Sequence, residues 1–230
     1  MRTICIHQPN FIPWLGYFYK IAHSDTFVVL DDVQYTKNSF INRNRIKTPQ
    51  GPQWITVPVK KAGHFGQMIH ETYISNRPKS LEKIVKTVEQ NYKKAAHFDR
   101  YFETFAQYLL QAPESISELN SQLIRWIMEV LDIKTQVAFS AEIPTHNLTG
   151  TDRLVAICKE MEADRYFSGF GGMNYQEENQ FNKENIAVQV SDFDHPVYNQ
   201  LWGDFESNLS IMDLLFNCGP ESKQFLLDSQ

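Results

Sequence analysis

The first thirty residues of this chain permit few folds. Thr3-Ile4-Cys5-Ile6 and Thr26-Phe27-Val28-Val29-Leu30 are continuous apolar, β-branched runs, the pattern of buried strands. Between them, Leu15 to Ala22 has room for one short helix, started by the turn at Pro13. A strand, a helix and a strand in so short a span predict a right-handed βαβ unit with parallel strands.

The remaining sequence falls into three parts. Residues 1–75 form the N-terminal α/β part, with a further strand expected over Gln53 to Val59 that ends or lies at an edge at Pro58. Residues 76–132 read as a helical insert of three amphipathic helices: Ser80 to Lys94 with Ser80 as cap, Phe98 to Gln111, and Ser115 to Leu131. In residues 133–230 the α/β alternation returns. Strands are expected at Gln136–Phe139, Asp164–Phe167 and Ile186–Val190, and helices at Asp152–Met161, capped by Thr149 or Thr151, and at Ile211–Phe216, with Gly219 just past the end. The expectation is an α/β fold whose parallel or mixed central sheet is built from the N- and C-terminal parts around a helical insert.

In open α/β sheets, ligands bind beyond the carboxyl ends of strands, so the segment after the first strand, His7-Gln8-Pro9-Asn10, is a candidate site. A neutral histidine there can act as base, acid or hydrogen-bond donor, Gln8 and Asn10 supply amides, and Pro9 holds the turn. Asp31 and Asp32 end the second strand and belong beside it if the pair is parallel; as sequence neighbours on extended chain they face opposite ways. Gln34, Asn38, Asn42, Arg43 and Arg45 follow in a segment dense in amides and cations that suits an anionic ligand. Extended, this segment turns Arg43 and Arg45 to one side and Asn42 and Asn44 to the other; helical, it aligns Asn38 with Asn42. Ser168 and Gly169 open a glycine-rich loop, running to Gly172, after a strand, where a backbone can approach a ligand closely. His195, next to Asp194, is a second histidine after a strand.

Composition narrows the functional classes. The net charge of −5 argues against an extended nucleic-acid face. The three cysteines, Cys5, Cys158 and Cys218, are far apart and form no CxxC pair, which suits a reducing cytoplasm. No apolar run is long enough to span a bilayer. His64 and His70 do not follow an HExxH spacing, and no short ligand spacing supports a metal. No cofactor is indicated. Ser168 lacks a GxSxG elbow, and Cys5 and Cys218 read as structural.

The segments "ICIHQPNFIPWLGYFYKI", "SDTFVVLDDVQYTKNSFINRNRIK", "WITVPV", "YFSGFGG", "DFDHPVYNQLWGDF" and "LSIMDLLFNCGP" together resemble the WbqC-like family of bacterial proteins over nearly the whole chain. That resemblance implies a role in O-antigen or other surface-polysaccharide biosynthesis, some members being named putative glycine transferases. The implied reaction transfers an acyl or aminoacyl group to the amine of a nucleotide-activated amino sugar, from an activated, possibly carrier-bound, donor. In that reading His7 is the base, Asp31 or Asp32 holds the amine or orients His7, Asn42, Arg43 and Arg45 bind phosphates, and His195 completes the far wall. The strand–His7-x-x-Asn10–helix pattern is also similar to HIGH-type nucleotidyltransferases, but has Pro9 where a glycine and Asn10 where the second histidine stand in those enzymes. An ATP-dependent activating enzyme and a non-catalytic glycan-binding protein are the alternatives.

Overall fold

The computed structural model describes residues 1–60, 66–169 and 177–226. Five strands, β1 (Thr3–His7), β2 (Thr26–Val29), β5 (Gln136–Phe139), β6 (Arg165–Ser168) and β7 (Ala187–Val190), form one sheet in the order β5-β2-β1-β6-β7, with every neighbouring pair parallel. Two further strands, β3 (Arg43–Thr48) and β4 (Gly51–Thr56), make a separate antiparallel hairpin. The helices are α1 (Leu15–Ala22), α2 (Arg77–Tyr92), α3 (Phe98–Leu110), α4 (Ile116–Val130), α5 (Gly150–Glu160), α6 (Glu178–Lys183) and α7 (Ile211–Cys218). The fold is α/β, and strands from both ends of the chain share its sheet.

Alternation along the strands sorts the core into two layers. Cys5, Phe27, Val29 and Phe167 face α1, the hairpin, α2–α4 and α7. Ile4, Ile6, Val28 and Tyr166 face α5 and α6. The central strands β1 and β2 are apolar on both sides because both sides are covered. This is a doubly wound sheet. The chain proceeds outward from β1 through β2 to β5, then returns to the other flank of β1 with β6 and β7, so the winding reverses between β1 and β6.

Several sequence expectations shift for local reasons. The strand expected over Gln53–Val59 stops at Thr56 and pairs with β3, not with the main sheet. Helix α2 begins three residues before Ser80, with a proline in its first turn; the Ser80 hydroxyl donates back to the Asn76 carbonyl at 2.9 Å instead of capping. Helix α6 lies in a stretch for which no helix was expected. Thr149 holds the N-cap position of α5, though no side-chain cap bond is formed. No described helix is long and apolar enough to cross a membrane.

Candidate functional site

The loop that leaves β1 is fixed by bonds from every side. The Asn120 amide of α4 donates to the carbonyls of Pro9 (2.8 Å) and Ile41 (2.7 Å), and the Asn44 amide of β3 donates to those of Phe11 (3.2 Å) and Ile12 (2.8 Å). The Ser210 hydroxyl also donates to Ile12 O, and Phe11 N donates to Phe40 O. Ile12 is fully buried at φ +36°, a left-handed backbone that a β-branched residue rarely adopts. The surrounding bonds over-determine that conformation, as strained positions require. Asn10 is buried within the loop.

His7 ends β1. Its Nδ1 lies 3.0 Å from the Gln8 carbonyl, which can only accept, so the proton sits on Nδ1 and Nε2 keeps its lone pair. The same carbonyl accepts from the Tyr17 hydroxyl at 3.0 Å. Tyr17 and Trp14 pack edge-on against the imidazole, with centroids 4.8 and 6.2 Å away. Burial lowers the His7 pKa to about 3; nearby Lys20 pushes the same way, and the Gln8 carbonyl opposes both. The ring is neutral at physiological pH.

Lys20 is the residue that sequence reasoning missed. It lies near the end of α1 and is 5% exposed. Side chains on a helix lean toward its N-terminus, and α1 runs back from the carboxyl end of β1, so this side chain rises between β1 and β6. Its Nζ would stand 3.6 Å from a Cβ placed on Gly169. No carboxylate of the described residues lies within ion-pair distance. Burial lowers its pKa, with the Cys5 thiol the opposing influence. The strands make room for it. Pairing of β1 with β2 runs up to His7↔Val29, and that of β6 with β7 up to Ser168↔Val190, but β1 and β6 pair only at Thr3↔Arg165 and Ile4↔Tyr166. The sheet therefore opens toward its carboxyl end at the winding reversal, with His7 on one lip and Ser168 and Gly169 on the other. Ser168 is buried, its hydroxyl 3.2 Å from the Gly169 carbonyl. The glycine-rich segment 170–172 expected to follow, and His64, lie outside the described residues.

The two aspartates diverge. Asp31 turns to α4: Oδ2 accepts from the Ser117 hydroxyl at 2.8 Å, while buried Oδ1 has no hydrogen-bond partner among the described residues. Burial raises its pKa and the Ser117 bond opposes that. Its backbone carbonyl accepts from the His70 amide at 2.9 Å. Asp32 turns the other way, to Ser140, Arg153 of α5 and His146. Burial raises its pKa, but hydrogen bonds from those three side chains outweigh it and hold the carboxyl below its usual range.

The segment after β2 is extended at β3. Arg43 stacks over Trp54 at 4.2 Å and Arg45 approaches the same ring at 6.0 Å, neither within ion-pair distance of a carboxylate of the described residues. Trp54 meets Phe40 (5.6 Å), Phe40 meets Trp14 (5.2 Å), and Trp14 meets His7, so an aromatic ridge runs from the exposed hairpin into the site. Asn42 is buried and donates to Val57 O at 2.9 Å, which ties it to the hairpin's frame. Gln34 and Asn38 are exposed, Asn38 in a turn at φ +59°. His195 sits apart from His7, among Phe193, Tyr198 and Phe205, with Nδ1 2.9 Å from Pro196 O and its pKa lowered by burial. Between them, Phe193 lies so close over α1 that a Cβ on Gly16 would stand 2.8 Å from its ring.

The structure thus brings together His7, Gln8, Gly169 and Lys20, with Asp31 one loop away and Arg43 and Arg45 at the outer end of the ridge. No group of three or more histidine, cysteine or acidic side chains suited to a metal gathers among the described residues. A groove of about 810 Å³ lined by Arg2, Ser24, Asp25 and Lys134 lies at the opposite, amino-terminal edge of the strands.

Comparison with known proteins agrees with the full-length pattern. A family model described as the WbqC-like protein family matches residues 8–225. "Uncharacterized protein Rv1507c" of Mycobacterium tuberculosis (strain ATCC 25618 / H37Rv) is 42% identical over 228 residues, 98% of each chain. No solved structure matches.

Proposed function

The chain belongs to the WbqC-like protein family, and from that premise we propose that it is an enzyme of surface-glycan or nucleotide-sugar metabolism that transfers an acyl or aminoacyl group to an amino sugar. The observation that carries this reading is the tautomer of His7. With Nδ1 committed to the Gln8 carbonyl, Nε2 is a fixed acceptor at the mouth of the opened sheet. The amine nitrogen bonds to the acyl carbon, the bond from that carbon to its activating group breaks with the electron pair leaving on that group, and the amine proton passes to Nε2. The Trp54–Phe40–Trp14 ridge, flanked by Arg43 and Arg45, suits a ring-bearing anionic substrate, the rings stacking and the guanidinium groups meeting phosphate.

The test is turnover with UDP- or dTDP-amino sugars and an activated glycyl or acyl donor. Transfer is expected with the wild type, with a loss of at least about 100-fold in His7→Gln. Transfer that survives in folded His7→Gln overturns the role of His7. A second reading, nucleotidyl transfer, draws on the strand order, which places a histidine loop at the winding reversal as nucleotide-binding sheets do. It requires ATP binding with Mg²⁺ and pyrophosphate release, both measurable on the same protein.

A further inference from the structure

We propose that Lys20 is the seat of a phosphoryl group: its ammonium, held between β1 and β6, binds a phosphate oxygen of the ligand. This deepens the function proposed above and rests on it for the identity of the whole substrate, but the phosphate seat has its own test.

Three observations independent of His7 lead there. First, Lys20 is a buried cation without a carboxylate among the described residues. Lysine is almost never so buried unless paired, because losing hydration costs several kcal/mol. A fold that keeps such a charge destabilises itself unless something else supplies the anion. Second, the charge lies where the sheet unzips, at the winding reversal, the position at which doubly wound sheets receive the phosphates of their ligands. Third, the residue beside Nζ is Gly169, just past β6, which places no side chain of its own over the ammonium.

The seat also bears on His7. Burial is the larger reason that Nε2 is a poor base, and a free Lys20 charge adds to it. A phosphate dianion on Lys20 cancels that second influence and leaves burial in place, so the occupied site accepts a proton more readily than the empty one. The groups that bear on the ring are Lys20, the Gln8 carbonyl and the packed rings of Tyr17 and Trp14.

The test uses inorganic pyrophosphate, UMP, uridine and glycine as probes, read by calorimetry and thermal unfolding, with Lys20→Met and Gly169→Ala beside the wild type. The wild type is expected to bind pyrophosphate and UMP, and uridine much more weakly. Lys20→Met, which replaces the charge with an apolar chain of similar length, is expected to melt higher than the wild type without ligand, by roughly 2–6 °C, and to bind pyrophosphate at least about 10-fold more weakly. Gly169→Ala puts a methyl in ordinary contact with Nζ, and is expected to fold normally and weaken pyrophosphate binding. In the wild type the His7 imidazole, followed by NMR, is expected to titrate at higher pH once pyrophosphate is bound. The proposal falls if the wild type binds neither phosphate probe at millimolar concentration, or if Lys20→Met binds them as well as the wild type. It falls equally if uridine or glycine alone gives the Lys20-dependent response. Phosphate binding that depends on Lys20 without acyl transfer overturns the proposed reaction and leaves the seat standing; acyl transfer that depends on His7 without phosphate binding does the reverse.

Discussion

The Arg153 guanidinium reaches from α5 to the Asp32 carboxylate at the end of β2, and each side chain is only 8% exposed. The pair fastens the layer behind the sheet to the rim of the site. Removing one partner strands a buried charge, so Arg153→Ala is expected to lower stability by about 3–5 kcal/mol. Urea unfolding checks this. In the double variant with Asp32→Asn the loss is expected to be smaller than the sum of the single losses, because the two groups are in contact.

His7 ties stability to pH. Its pKa is about 3 in the folded protein against an ordinary value of 6.5, so from pH 6.5 down to 3 the unfolded chain binds the extra proton. Its contribution is complete above pH 6.5 and is lost progressively as pH falls through that window, by about 2 kcal/mol at pH 5. Urea midpoints compared at pH 7.5 and pH 5 are expected to fall less in His7→Asn than in the wild type.

Asn120 serves two carbonyls from one amide. Asn120→Ala leaves both buried acceptors unpaired and is expected to cost about 1–3 kcal/mol. Because Pro9 belongs to the loop after His7, the same variant is expected to weaken ligand binding, which calorimetry resolves from the stability loss.

Trp54 contrasts with these. The residue is 41% exposed and loses its contacts with Arg43 and Phe40, so Trp54→Ala is expected to cost about 0.5–1.5 kcal/mol of stability. If the ridge stacks a ligand ring, worth about 1–3 kcal/mol, binding of a nucleotide sugar is expected to weaken roughly 10-fold. Paired unfolding and calorimetry on one preparation check both halves.

Periodicity made much of the fold legible. Thr26–Val29 and Leu15–Ala22 are short, strongly patterned runs bounded by turn residues, and they stand where the pattern puts them. The hairpin was less legible because amides and cations do not choose between strand and helix; pairing with Trp54 and Ile55 settles it. The loop at His7 was visible from its place after a strand. Lys20 was not visible, because a lysine in a helix ordinarily reads as a solvated charge. It packs on Gly169, just past β6 and remote in sequence, and no local pattern carries that information. The polar face of α4 was hidden for the same reason. Ser117 and Asn120 look like helix surface until Asp31 and Pro9 are seen to pack on them.

The seam between β1 and β6 is closed at one end only. At that end Arg2 N donates to the Asp164 carboxylate, and the amides of Asp164 and Arg165 both donate to the Arg2 carbonyl. The two halves of the sheet are thus joined like the arms of tweezers, closed from Arg2 and Asp164 up to a pivot at Ile4 and Tyr166, with the tips at His7 and Gly169 three residues or ~10 Å beyond it. A small rotation at the pivot is magnified at the tips. The spacing of the tips thus depends on pairing at the closed end, among residues that stand outside the mouth.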